Sequence, residues 1–225
     1  YKQTLTREVR VQLVEYLAHL IWESPEPRVH YERLYEKAAE FFKDRSLTLH
    51  DKERIDYEVR TALFLNRNPE GYYSFIHRSF LEFFVARAMR RMIAAADPRA
   101  LDLRRISREI GFFLLAMAAD LDVTGFSARV LEGKYQARVS ENALLLLYWS
   151  ARSRIAPLLG AGSDLGRQPD WVAKLRTEFG RIRPPKINLA GADLSGLELP
   201  AIDLSRAKMC SARLKRTNVN HATLD

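Results

Sequence analysis

Cysteine is almost missing from this sequence: Cys210 stands alone among 225 residues. One thiol cannot close an internal disulfide or build a Cys-rich zinc site, a composition that suits a reducing cytoplasm. Long apolar runs are scarce as well, and Ala143 to Trp149 is far too short to cross a bilayer. No secretory-signal pattern opens the chain, which begins Tyr1-Lys2-Gln3 and soon turns amphipathic. Glycine is sparse, and the only Gly-rich loop, Gly160-Ala161-Gly162-Ser163-Asp164-Leu165-Gly166, lacks the Lys-Ser or Lys-Thr that a phosphate-cradling loop needs. It reads as a connector between helices, the next of which begins at Asp170-Trp171 behind Pro169. No catalytic residue and no metal ligand is expected in these 225 residues.

What is present is a chain with 47% hydrophobic residues, enough to bury a sizeable core in more than one domain. The net charge of +8 arises from 36 Lys and Arg against 28 Asp and Glu. Those charges are spread along the chain, which fits a solvated basic surface better than a nucleic-acid groove. The missing initiator Met and the abrupt stop after Asp225 lead to the expectation that this is a piece of a longer polypeptide.

The chain is organised around Tyr72 to Met89, YYSFIHRSFLEFFVARAM. Tyr72, Tyr73, Phe75 and Ile76 suit a pleated surface, and Asn68-Pro69-Glu70-Gly71 before them is a turn, so a hairpin is predicted over Leu63 to Ile76. From Ser79 the spacing becomes helical, with Phe80, Phe83, Phe84 and Ala88 flanked by Leu81, Val85, Met89 and Met92. His77 falls at the mouth of this helix, where unsatisfied N–H groups and the macrodipole favour an anion such as phosphate. A histidine there faces a phosphate, caps its own helix or hydrogen-bonds to a buried backbone group.

Upstream, Val9, Leu13, Tyr16, Leu17, Leu20 and Ile21 form the stripe of a first helix, broken by Ser24-Pro25-Glu26-Pro27. Leu34, Tyr35, Ala38, Phe41 and Phe42 mark a second, and Thr48 with Asp51 fits a capping box for a third through Ile55, Val59, Ala62 and Leu63. Helices, hairpin and closing helix read as a winged-helix arrangement. The third helix carries as many acids as bases, which argues for a scaffold over a DNA reader. After Asp97-Pro98 come stripes at Ile106, Ile110, Phe113, Leu114 and Met117, then Phe126 to Leu131 ending at Gly133, then Ala143 to Ile155 behind a Ser140 cap.

Beyond Arg181-Ile182-Arg183-Pro184-Pro185 the period changes to five. Leu189, Leu194, Leu199, Leu204, Met209, Leu214, Val219 and Leu224 recur at that spacing, and neither a helical nor a strand period fits. Lys208, Arg213, Lys215 and Arg216 make one side of this stretch basic, a candidate surface for an acidic trigger or a neighbouring subunit.

Two resemblances follow. Phe75-Ile76-His77-Arg78-Ser79-Phe80-Leu81-Glu82-Phe83-Phe84-Val85-Ala86 resembles the F-x-H-x-S-F-x-E-[FY]-x-A motif that ends the winged-helix domain of NACHT-family STAND ATPases, a class that includes bacterial antiphage sensors. Leu81 in place of the usual Gln and the added Phe84 are mild departures. Segments such as Ala192-Asp193-Leu194-Ser195-Gly196 resemble pentapeptide repeats, whose family fold is a right-handed, four-sided β-helix.

Together the resemblances imply a multidomain, mainly α chain: a winged-helix domain of NACHT type over 1–96, a helical domain over 97–183, and a right-handed quadrilateral β-helix of pentapeptide repeats over 187–225. They imply a switch in the cytoplasm, in signalling or antiphage defence, in which His77 contacts a phosphate of ADP held against an upstream NACHT ATPase core. ADP or ATP with Mg would then be bound only by the longer polypeptide, since the Walker A lysine and Walker B acids are missing here. The other partners implied are an unknown trigger, a protein being one candidate, and further copies of the chain on activation, with neither membrane nor nucleic acid expected. The rival reading is a stand-alone pentapeptide-repeat interaction protein, a scaffold or a DNA mimic. A mimic needs an acidic surface, whereas Asp193, Glu198, Asp203 and Asp225 face Arg206, Lys208, Arg213, Lys215 and Arg216.

Overall fold

The computed structural model describes residues 6–43, 65–156 and 170–224, and the chain divides into two units, Tyr1–Arg91 and Met92–Asp225. In the first, helix α1 (Arg7–Glu23) starts where Thr6 Oγ1 accepts the Val9 N–H at 3.3 Å. It buries Leu13, Val14, Leu17, Ala18, Ile21 and Trp22 along one face. Strand β1 (Val29–His30) leads directly into α2 (Tyr31–Lys43), which buries Leu34, Ala38, Phe41 and Phe42. Each such side chain contributes about 1.5–3 kcal/mol on leaving water.

The hairpin is formed by β2 (Leu65–Arg67) and β3 (Tyr72–Phe75), with Asn68 Oδ1 accepting the Tyr72 N–H at 2.8 Å. Gly71 closes the turn at φ 87°, and a Cβ there would stand 2.7 Å from the Tyr31 ring. β1 pairs antiparallel with the other edge of β3, giving the order β1-β3-β2. A two-residue strand leaves no periodicity to read, which is why Val29–His30 went unpredicted. Leu63 and the helix expected from Thr48 lie outside the described residues.

Helix α3 (Arg78–Ala94) buries Leu81, Phe84, Val85, Ala88, Met89 and Ile93. It departs from the expected stripe at two positions: Phe80 is 37% exposed at the open N-terminal turn, while Glu82 is 3% exposed. The carboxylate of Glu82 accepts from Arg78 Nε at 3.1 Å, which makes its burial tolerable. Glu15 of α1 is likewise buried, held at 2.9 Å by both Arg87 and Arg91.

The second unit runs through a 3-10 turn (Pro98–Leu101), α4 (Arg108–Met117), α5 (Val123–Glu132), α6 (Val139–Ile155) and α7 (Trp171–Ile182). Asp122 caps α5 through the Gly125 N–H at 2.8 Å, and α6 is buried nearly all round. The expected Ser140 cap is corrected: α6 begins at Val139 after Arg138 at φ 42°, and Ser140 Oγ instead accepts the Gln136 N–H at 3.1 Å. Inside α6 the fully buried Asn142 donates to the Leu101 and Leu103 carbonyls at 3.0 Å and accepts the Ile106 N–H at 3.1 Å.

The right-handed quadrilateral β-helix expected over 187–225 is not what the structure shows. Among the described residues seven α-helices carry most of the regular structure, and the only sheet is the three-stranded one of the first unit. The repeats form no strand. They are turns joined by four isolated parallel bridges, Asn188 to Lys208, Asp193 to Arg213, Glu198 to Asn218 and Asp203 to Thr223, each linking residues twenty apart. The reason is local: one bridged residue per repeat is followed by a turn whose left-handed residue interrupts the extended backbone. Such residues recur at Gly191, Gly196, Ala201, Arg206, Ser211, Arg216 and His221. A single bridged residue between turns is too short to become a strand.

Candidate functional site

His77 sits between the end of β3 and the first turn of α3, exposed to solvent. Its Nδ1 lies 2.7 Å from Ser79 Oγ and accepts the Ser79 backbone N–H at 3.2 Å. A backbone N–H can only donate, so Nδ1 is the acceptor and the neutral ring carries its proton on Nε2. The ring thus caps its own helix through Nδ1, which leaves Nε2 outside that contact. The first turn of a helix, where His77 stands, is a place that favours anions in general. Ile76, 67% exposed, and Phe80 flank it with apolar surface.

The other candidate residues belong to the second unit. The first turn of repeats is dry, with Ile187, Leu189, Ala192, Leu194, Leu199, Ile202 and Leu204 buried. In the second turn Met209, Leu214 and Val219 are half-buried, and Leu224 is 48% exposed. Lys208, Arg213, Lys215 and Arg216 are all exposed. Arg213 lies 3.9 Å from Asp193 across the bridge, an exposed pair that solvent screens. The Asp193 carboxyl is held below its usual range, first by hydrogen bonds from the Ser195 hydroxyl and amide and less by the charges of Arg213 and Arg105.

Several residues of this region were not legible beforehand. Tyr148 of α6 donates its hydroxyl to the Pro200 carbonyl at 2.8 Å. Arg105 donates to the Ser195 and Asp193 carbonyls at 2.7 and 2.5 Å, and Arg176 to the His221 carbonyl at 2.6 Å. Arg183 donates to the Ser205 carbonyl at 2.9 Å and pairs with Asp203 at 3.3 Å. No spacing distinguishes these arginines from others in a basic chain; they become meaningful once each is seen to reach a carbonyl of the repeats.

Among the described residues no group of His, Cys, Asp and Glu could hold a metal ion, and no helix is long and apolar enough to cross a membrane. A family model for pentapeptide repeats matches residues 187–225 in eight copies. The C-terminal stretch is therefore a pentapeptide-repeat segment, and this is a repeat protein over that span. No family model of NACHT or winged-helix type matches. No curated protein and no solved structure matches the chain.

Proposed function

We propose that the chain is a non-catalytic regulatory segment of a NACHT-type switch, in which residues up to Ala96 form the latch and the repeats present a surface to a partner. The observation that carries this reading is the His77 geometry within a segment resembling the NACHT motif: Nδ1 engaged at Ser79, Nε2 presented as a donor at the start of α3. A nucleotide held by an ATPase core in the same polypeptide would supply the phosphate, and the trigger would act by separating the two.

The test is His77→Ala in the polypeptide that includes the ATPase core. A hydrogen bond to a charged phosphate contributes about 1.5–3 kcal/mol, so ADP should leave roughly one to two decades faster, with more oligomer present before any trigger. His77→Gln, which retains a donor, should restore part of the hold. Unchanged ADP release in the alanine variant sinks the latch.

The exposed second turn of repeats favours a second reading, an interaction scaffold acting through Lys208, Arg213, Lys215 and Arg216. An acidic protein partner fits that surface by charge, whereas a mimic of duplex DNA does not.

A further inference from the structure

Arg28, His30 and Arg33 line one cavity of about 300 Å³ in the first unit, with Tyr72 as a wall and Glu26 at its rim. Arg28, His30 and Tyr72 belong to a ladder of rings with a cation at each end. The Arg28 guanidinium lies 4.6 Å from the centre of the Tyr72 ring, and the Tyr72 and His30 rings are 5.2 Å apart. His30 is 4.5 Å from Tyr31, and the Arg67 guanidinium lies 4.5 Å from the centre of the Tyr31 ring. Gly71 sets the foot of the ladder, since a Cβ there would collide with Tyr31.

The charges of the cavity are unevenly matched. Glu26 sits 2.5 Å from Arg28, and Glu32 lies 3.5 Å from Nδ1 of His30. Arg33 is exposed and makes no ion pair among the described residues. Two planar guanidinium groups and an imidazole converging on one space suit an anion with several oxygens. Helix α2 starts at Tyr31 beside them, so the positive end of its dipole adds to the field. The volume is that of a small-ligand pocket and exceeds what a bare ion fills.

We propose that this cavity binds the phosphate of a small phosphomonoester, with Arg33 and Arg28 as its principal contacts and Glu26 as the group it must displace from Arg28. The proposal stands apart from the latch at His77. It is tested by NMR titration of the whole chain with ribose 5-phosphate, with ribose and inorganic phosphate run alongside.

Ribose 5-phosphate should shift the His30 and Tyr72 signals saturably, ribose should not, and inorganic phosphate should bind more weakly. Arg33→Ala should weaken binding of ribose 5-phosphate about tenfold or more, the loss of one charge-assisted contact. Glu26→Gln, which frees Arg28, should tighten it severalfold. Both positions are exposed, so neither change disturbs a core. Ribose binding as well as its phosphate, inorganic phosphate binding as tightly as the ester, or Arg33→Ala and Glu26→Gln both leaving the titration unchanged would overturn the assignment.

Discussion

Asn142 shows how much one side chain can hold. Both of its N–H donors and its carbonyl oxygen are engaged by backbone groups of buried residues, the Leu101 and Leu103 carbonyls and the Ile106 amide. Asn142→Ala leaves all three unpaired at about 1–3 kcal/mol each, so urea unfolding should report a loss of at least about 3 kcal/mol. Asn142→Asp is expected to be no rescue, because a carboxylate would face the same two carbonyls. Nothing in the sequence marks this asparagine, since its partners are backbone atoms some forty residues away. His77 is the opposite case: its place at the mouth of a helix was readable, because the change from strand to helix spacing happens around it. The capping contact with Ser79 was one of the readings open to the sequence, and it is the one the structure contains.

At the level of elements, the repeats separate what a period reveals from what it hides. Apolar residues every five positions marked the repeats plainly, because no helix or strand keeps that spacing. The backbone state was not readable in the same way. Glycine occupies the left-handed turn position at Gly191 and Gly196, but alanine, arginine, serine and histidine take it afterwards, so the turn signal fades along the segment.

A paired substitution tests the strain this implies. Gly191 has φ 80° and open space around it, so Gly191→Ala meets only backbone strain and should lower the thermal midpoint by the equivalent of about 1 kcal/mol. Ser211, exposed at φ 60°, is the converse, and Ser211→Gly should be neutral or stabilising by up to about 1 kcal/mol. Opposite signs at equivalent positions are the expected result, and equal losses at both would refute the account. The first unit carries a similar lesson: the hairpin was legible from its turn, whereas β1 was not, because two residues hold no pattern.

At the scale of the whole molecule, pH probes how the helices and the repeats of the second unit depend on each other. Burial raises the Tyr148 hydroxyl to about 12, and burial followed by its bond to Glu141 does the same to Tyr135. A raised pKa means the folded chain holds the proton more tightly than the unfolded chain, whose tyrosines titrate near 10. The stability from these groups is therefore complete below about pH 10 and is lost as pH rises through about 12. Circular dichroism across that window should show alkaline unfolding, and Tyr148→Phe should flatten the fall while costing the bond to Pro200 at lower pH. A variant as pH-sensitive as the parent would place the transition elsewhere.

The arginines that join helices to repeats grip main-chain carbonyls, those of Asp193, Ser195, Ser205 and His221, and Arg183 also takes hold of the Ser205 and Asp203 side chains. A carbonyl is the same whatever residue bears it. Mutations that rewrite the outward side chains of the repeats leave most of these anchor points intact, so the displayed surface can drift toward new partners while its mooring to the helices persists.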